Sequence, residues 1–220
     1  SYNIGIGRLT LANLSSGVSN IALGQKAGQL LTTGTYNNLQ GYQSGYSLTT
    51  GAYNVTSGYQ AGYSLTTGGT NVYLGSYAGY STTTANRNTF VGDEAGRFTT
   101  TGSNITAIGR KAGRGGLGLR GVAVGDEAAG GSTAVGIVAI GAFAGNVGGT
   151  NSVHLGYFAG QTDSAANKLH IANNGTESLI EGDFSAKTLR VNGTLASTGK
   201  TYTTKTAAYT AVAGDLIMAD

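Results

Sequence analysis

A glycine recurs at a constant interval over the first half of the chain, and this spacing constrains the fold more than any other feature. These anchor glycines are Gly7, Gly24, Gly41, Gly58, Gly75, Gly92 and Gly109, each seventeen residues after the last, followed at slightly shorter intervals of sixteen, sixteen and fifteen by Gly125, Gly141 and Gly156. Ten copies at a short, nearly fixed period predict a solenoid, in which each unit buries its apolar face only by stacking on its neighbours.

Other positions keep a constant distance from the anchor. An asparagine stands four residues before it at Asn3, Asn20, Asn37, Asn54, Asn71 and Asn88, and a distal set of glycines lies ten residues after it at Gly17, Gly34, Gly51, Gly68 and Gly102. Glycine at fixed phase indicates turns that need positive φ. Stacked asparagines predict a ladder of side-chain amides that pair from unit to unit.

Composition excludes several classes of protein. The 220 residues include 39 glycines but no proline and no cysteine. Collagen is excluded because glycine does not occupy every third position, and the hydrophobic fraction of 40% disfavours disorder. Without cysteine the chain has no disulfide framework and no thiolate metal site. The net charge of +3 is small and spread along the chain, so it argues only weakly for an anionic partner.

The residues before each anchor alternate with period two, which predicts one short strand per unit. Pairs such as Ile21/Leu23 and Val72/Leu74 share one face, and the intervening position holds mostly small or apolar residues. We expect a second strand around Leu14, Leu31, Leu48 and Leu65, seven residues after the anchor. The fold class is therefore all-β, a parallel β-roll or β-solenoid of about ten coils, each fifteen to seventeen residues long.

Both faces of the first strand are apolar, so it needs a partner on each side. The expected second strand covers one face. The other face is most simply covered by the same face of identical chains around a symmetry axis. We therefore expect an intertwined homotrimer.

After Gly160 the glycine period is lost, which divides the chain into a repeat shaft, residues 1–160, and a β-rich connector, residues 161–220. Candidate strands of the connector are Lys168–Ile171, Ser178–Ile180, Thr188–Val191, Tyr202–Thr204 and Leu216–Met218, with turns at Asn174-Gly175, Glu181-Gly182-Asp183 and Asn192-Gly193. The connector is expected to lead into a C-terminal domain that is absent or truncated here, as in a segment of a longer protein.

The repeat N-x-A-[IL]-G-x-x-A-G, clearest at residues 20–28, 71–79 and 88–96, resembles the head repeats of trimeric autotransporter adhesins. Those heads are trimeric left-handed parallel β-rolls, and similar repeats occur in fibres of tailed bacteriophages. Residues 169–193 resemble a connector frequent in phage tail fibres, and residues 209–217 resemble the opening of a tail-fibre C-terminal domain. The present unit is longer than the usual adhesin-head repeat, and no membrane anchor or long coiled-coil stalk is visible in the sequence.

This resemblance implies the structural shaft of a trimeric phage tail fibre, extracellular and part of the virion. Its partners would be its own copies, other fibre or tail proteins, and a host glycan or protein bound through a tip not present here. The alternative is a bacterial trimeric surface adhesin, located at the cell surface, that binds matrix or glycan through its repeat face. A glycan-cleaving tailspike is a third possibility.

No catalytic, cofactor-binding or metal-binding residues are expected, and the chain is not expected to be an enzyme. Residues 193–201 place five residues between two glycines where a phosphate loop needs four. The carboxylate pairs Asp93-Glu94 and Asp126-Glu127 lie in repeat positions, and Glu181 and Asp183 lie in a predicted turn. Neither His154 nor His170 has a second metal ligand close in sequence.

Two surface features leave alternatives open. Residues 110–120, RKAGRGGLGLR, fit a corner of the rod better than a nucleic-acid-binding segment, because they keep the repeat phase and lack interleaved aromatics. No apolar run approaches the length of a membrane span. The tyrosines Tyr46, Tyr63 and Tyr80 recur at the interval of the anchors, and they either contact glycans or stack on one another to steady the coils.

Overall fold

The structure, a computed structural model, describes residues 2–175, 177–197 and 200–203. The chain forms an all-β solenoid of about ten coils with a short antiparallel end, and the described residues contain no helix. The predicted strand at Leu216–Met218 and residues 209–217 lie outside the described residues.

Each coil contributes one three-residue strand immediately before its anchor glycine, as the period-two pattern predicts. These strands are β1 Ile4–Ile6, β2 Ile21–Leu23, β3 Asn38–Gln40, β4 Val55–Ser57, β5 Val72–Leu74, β6 Thr89–Val91, β7 Thr106–Ile108, β8 Val122–Val124, β9 Val138–Ile140 and β10 Val153–Leu155. They pair in parallel and in sequence order, with Ile4 opposite Ile21 and Val72 opposite Thr89. Equivalent residues of successive coils therefore lie one above another.

The middle residue of each strand points into the coil. It is fully buried in β2 to β10, where it is Ala22, Leu39, Thr56, Tyr73, Phe90, Ala107, Ala123, Ala139 or His154. The opposite wall of the long coils supplies Leu31, Leu48 and Leu65, which are also fully buried. These leucines form the core with the strand centres, so a single chain fills its own interior.

The predicted second strand around these leucines is wrong, because the residues after the anchor form consecutive turns. The second residue after the anchor has φ near +60° although it is not glycine in any of the ten coils, as at Lys26 (61°) and Lys111 (56°). Left-handed residues curl the backbone and prevent an extended run. The leucines are buried as expected, but from a turn.

The parallel stack continues beyond Gly160. The strand β11, Lys168–Ile171, pairs in parallel with β10 and places His170 opposite His154. Two antiparallel strands follow, β12 Ile180–Asp183 and β13 Thr188–Val191. The predictions for β11 and β13 are confirmed, whereas the strand predicted at Ser178–Ile180 begins two residues later and occupies the turn predicted at Glu181–Asp183.

A separate antiparallel pair consists of β14, Thr194–Ser197, and β15, Lys200–Thr203. These strands overlap the glycine-flanked stretch at residues 193–201, whose spacing does not fit a phosphate loop. The strand predicted at Tyr202–Thr204 begins at Lys200 instead.

Candidate functional site

The candidate functional site is the outer strand face, the set of first and third residues of β1 to β10. Fifteen of its twenty side chains are apolar, five are Asn38, Gln40, Ser57, Thr89 and Thr106, and none is charged. None of the twenty is buried within the chain; Ile6 is 65% exposed and Ile140 is 44% exposed. A continuous uncharged stripe of this length is unusual for a surface in contact with water.

The geometry of the outer strand face follows from the anchor glycines. All ten have φ between 108° and 143°, a range that side chains rarely adopt. A Cβ on Gly75 would lie 2.4 Å from the carbonyl oxygen of Gly92 in the next coil. The anchor is glycine because backbones of successive coils touch there, and this contact brings the strands into one straight stack.

The distal set of glycines has a different role from the one predicted. Gly17, Gly34, Gly51, Gly68 and Gly102 do not have positive φ. A Cβ on Gly34 would instead lie 2.3 Å from the carbonyl oxygen of Gly51. Close approach between coils, rather than backbone conformation, therefore favours glycine at these positions, although the equivalent residue after Gly75 is Ala85.

The asparagines form a buried ladder behind the strands. The side-chain amide of Asn37 donates to Asn20 Oδ1 at 3.0 Å and to the carbonyl of Gly51 at 2.9 Å, and the Asn37 backbone N–H donates to the same Oδ1. The pattern repeats from Asn3 to Asn71. Asn88 ends the ladder by accepting from the Ile105 backbone N–H. The ladder fixes the position of each strand relative to the next.

Tyrosines stack in three columns on the outside of the turns. Tyr46, Tyr63 and Tyr80 are stacked with centroids 5.1 and 5.2 Å apart, and the pairs Tyr36/Tyr53 and Tyr42/Tyr59 are stacked at 5.1 and 5.3 Å. The rings are nearly parallel, so each covers a face of its neighbour. Sugars stack on aromatic faces, and in this arrangement a neighbouring ring covers at least one face of each tyrosine. Glycan contact by these tyrosines stays a prediction.

Charged residues meet at one corner of the middle coils. Arg110 contacts Asp126 at 2.7 Å and Glu127 at 3.3 Å, and Lys111 lies 3.5 Å from Glu127. Arg97 and Arg114 both bind Glu94, and these contacts lower the pKa of Glu94 in spite of the opposing effect of its desolvation. The basic stretch 110–120 therefore has carboxylate partners within the chain, which supports its interpretation as a corner of the rod.

A histidine stack closes the interior at the last coils. The rings of His154 and His170 are parallel with centroids 5.3 Å apart. Nε2 of His170 lies 2.8 Å from an Asp163 carboxylate oxygen, and Nδ1 lies 3.1 Å from Ser178 Oγ. His154 is fully buried, and neither of its ring nitrogens has a hydrogen-bond partner among the described residues. Burial, with a smaller contribution from His170, lowers the pKa of His154 to about 4.

This stack was not predicted from the sequence, where the two histidines were considered separately. Positions 154 and 170 are separated by the same interval as the anchors of the short coils, Gly125 and Gly141, and that phase could have placed both rings in the interior. Of the other candidate carboxylates, Asp183 lies 2.6 Å from Lys168, and Glu181 lies 3.8 Å from Arg190. The described residues contain no group of three or more His, Asp or Glu side chains suited to a metal ion.

Within the described part of the chain, no helix has the length and apolar character to cross a membrane. Comparisons with protein-family models, with curated protein sequences and with solved structures give no match. The function of the chain is therefore inferred from the geometry of the solenoid and from its outer strand face.

Proposed function

We propose that this chain is the structural shaft of a trimeric viral tail fibre, which holds a host-receptor-binding tip away from the virion. The outer strand face is the observation that carries the proposal. Its fifteen apolar side chains remain in contact with solvent in a single chain, and apolar area in water favours association at about 25 cal/mol per Å² buried.

A second copy of the chain is the partner that best matches this face. The face repeats at the spacing of parallel strands, about 4.8 Å per coil. A partner that fits along its whole length needs the same repeat, and an identical chain has it. Twenty side chains from ten strands also approach the roughly 20–30 residues per side of a stable interface. The resemblance of the repeats to trimeric adhesin heads favours three copies around one axis.

The mechanical role follows from the arrangement of hydrogen bonds. Parallel pairing runs through the whole stack, so the backbone of each coil bonds to the coils on both sides. Ten steps of about 4.8 Å give a rod segment roughly 50 Å long. A rod whose interior is filled and whose open face is covered by sister chains is stiff, and stiffness is what a shaft requires.

Molar mass in solution tests this proposal. By sedimentation or light scattering, the 220-residue chain should have three times the 22.0 kDa mass of one chain. Replacing Val122 and Val124 by aspartate puts two charges per chain into the proposed interface, and the variant should dissociate. The control is Thr67→Asp, at an exposed position in a bend. A wild-type protein that sediments as a single chain would overturn the proposal.

A bacterial surface adhesin is the second candidate function. It is favoured by the tyrosines on the outside of the turns, of which Tyr36 is 52% exposed and Tyr53 is 60% exposed. In that case the repeat surface itself would bind glycan. A glycan array probed with the purified chain should give signals that Tyr36→Ala with Tyr53→Ala abolishes, and an array without signal would exclude direct binding to the sugars it carries.

A further inference from the structure

The outer strand face contains one layer unlike the rest. Strand β3 presents Asn38 and Gln40, whereas β2 presents Ile21 and Leu23. The remaining polar residues of the face, Ser57, Thr89 and Thr106, carry only short hydroxyl groups. Asn38 and Gln40 are thus the two long polar side chains in a surface of twenty residues.

The hydrogen bonding of this layer is incomplete within one chain. The Gln40 side-chain amide donates to Asn38 Oδ1 at 2.8 Å. No further hydrogen bond to the Asn38 amide nitrogen or to Gln40 Oε1 is formed by the residues that the structure describes. Each chain thus presents the unpaired side-chain N–H groups of Asn38 beside the unpaired Gln40 Oε1. Such a set is self-complementary, because identical chains arranged in a ring can pair donor to acceptor all the way around.

We propose that Asn38 and Gln40 form a polar layer that fixes the axial register between copies of this chain. The inference rests on the self-association proposed above. The Asn38 amide of each copy donates to Gln40 Oε1 of the next copy. A single polar layer in an apolar interface specifies register in this way in coiled coils, at a cost in stability.

A shift by one coil shows why the layer selects one register. It would place Gln40 of one copy opposite Leu23 or Ser57 of another, and Asn38 opposite Ile21 or Val55. The free donor and acceptor would then lose their counterparts inside the interface, which is costly. The apolar layers by themselves discriminate poorly, because branched aliphatic residues recur from coil to coil.

Cysteine cross-linking measures the register directly, because the chain has no cysteine of its own. Val124 and Leu155 lie on the outer strand face two coils apart, or about 10 Å at 4.8 Å per coil. Chains carrying V124C are mixed with chains carrying L155C, unfolded, refolded together and oxidised. Copies in register should give disulfides between like positions, and mixed disulfides should stay at background.

Replacing the polar layer by its apolar counterparts should release the register. In chains that also carry N38V and Q40L, mixed V124C–L155C disulfides should rise several-fold, while the melting temperature stays equal or increases. The matched control is Q43L, which removes a glutamine from the same coil but outside the outer strand face. It should leave the disulfide pattern unchanged.

Two failures are distinguishable. If N38V/Q40L chains associate and still give only like-position disulfides, the register role is wrong and the proposed shaft is unaffected. If light scattering on the unoxidised mixture finds single chains in every background, the self-association is wrong, and the inference fails with it.

Discussion

The long coils, whose anchors run from Gly7 to Gly109, and the short coils, whose anchors follow from Gly125, fill the same interior in different ways. In the long coils up to Gly92 the fourth residue before the anchor is a ladder asparagine, and leucines such as Leu48 and Leu65 fill the space from the turn wall. At equivalent positions of the coil around Gly141 stand Ile137 and Gly148. A Cβ on Gly148 would lie 2.5 Å from Ile137 Cδ1.

In this coil the interior is filled from the strand side instead of from the turn wall. Ile137 reaches across the coil into the space that a turn leucine occupies in the long coils. The ladder ends at Asn88, so the coil around Gly141 lacks its buried hydrogen bonds and has an apolar contact at the same position. The anchor glycine and the outer strand face are common to both regions.

The largest expected effect concerns the feature that the two regions share. Gly75→Ala in a long coil and Gly125→Ala in a short coil should each destabilise the fold by roughly 4 kcal/mol or more, because the new Cβ meets backbone of the next coil at 2.4 and 2.7 Å and φ is positive at both. Thermal unfolding measures both variants. Gly5→Ala is the control, because its Cβ would have no neighbour closer than 3.6 Å. If alanine at either anchor leaves the melting temperature unchanged, close contact between the backbones of successive coils does not explain the anchor glycines.

The next effect separates the two regions. Asn54→Leu keeps the size of the side chain but leaves the Gly68 carbonyl and the Asn71 backbone N–H without their partners. We expect a loss of about 3 kcal/mol, since each orphaned buried group costs roughly 1–3 kcal/mol.

Ile137→Leu is the matched substitution at the same position of a short coil. It conserves volume and should cost about 1 kcal/mol or less. Denaturant unfolding of both variants gives the comparison. Equal losses of unfolding free energy would show that the hydrogen bonds of the ladder add nothing to stability beyond the packing of the side chain.

Acid should weaken the short coils through His154. Its pKa is about 4 in the folded chain and 6.5 in the unfolded chain, so the unfolded state binds the proton first as pH falls. Stability from this group is complete above pH 6.5, declines between pH 6.5 and 4, and does not change further below. A shift of this size is worth roughly 3 kcal/mol.

His154→Phe isolates this contribution, because Phe90 fills the equivalent interior position of an earlier coil. The difference in unfolding free energy between wild type and variant should vary with pH between 6.5 and 4 only. Asp163 and His170 lie beside the ring and remain in both proteins. A pH-independent difference would contradict the buried neutral state.

The smallest effect is expected at the charged corner where the long and short coils meet. Arg110→Gln removes the contacts to Asp126 and Glu127, but all three side chains are partly exposed and screened by solvent. The melting temperature should not change measurably at physiological salt. A clear decrease that high salt abolishes would contradict this expectation and show that the ion pairs stabilise the corner.

Much of this architecture was predictable because it is periodic. The spacing of the anchors placed all ten strands, and the phase of Asn3 to Asn88 predicted the ladder. The leucines at Leu31 and Leu48 were correctly expected to be buried. Their secondary structure was not predictable, because left-handed φ at ordinary residues such as Lys26 has no sequence signal comparable to glycine.

The candidate site was predictable only in part. The alternation in β2 and β5 indicated that both strand faces are apolar and need to be covered. The pattern did not distinguish the two faces. Only the fold shows that side chains of the same chain cover the inner face and leave the outer strand face exposed. The polar layer at Asn38 and Gln40 depends on an intrachain hydrogen bond that alternation cannot reveal. The continuation of the stack to β11 was hidden because Ala172 replaces the anchor glycine.

The one-strand-per-coil connectivity has a mechanical consequence. A force that pulls the chain from either end of the stack acts on one coil at a time. Within the chain, the terminal coil is held only by its hydrogen bonds and contacts to the next coil, so it detaches when these break. Each detachment in the long coils frees one full repeat, such as the stretch from Ile4 to Ile21, or about 55 Å of contour length at roughly 3.3 Å per residue. The steps should shorten by a few ångströms once the short coils begin to yield.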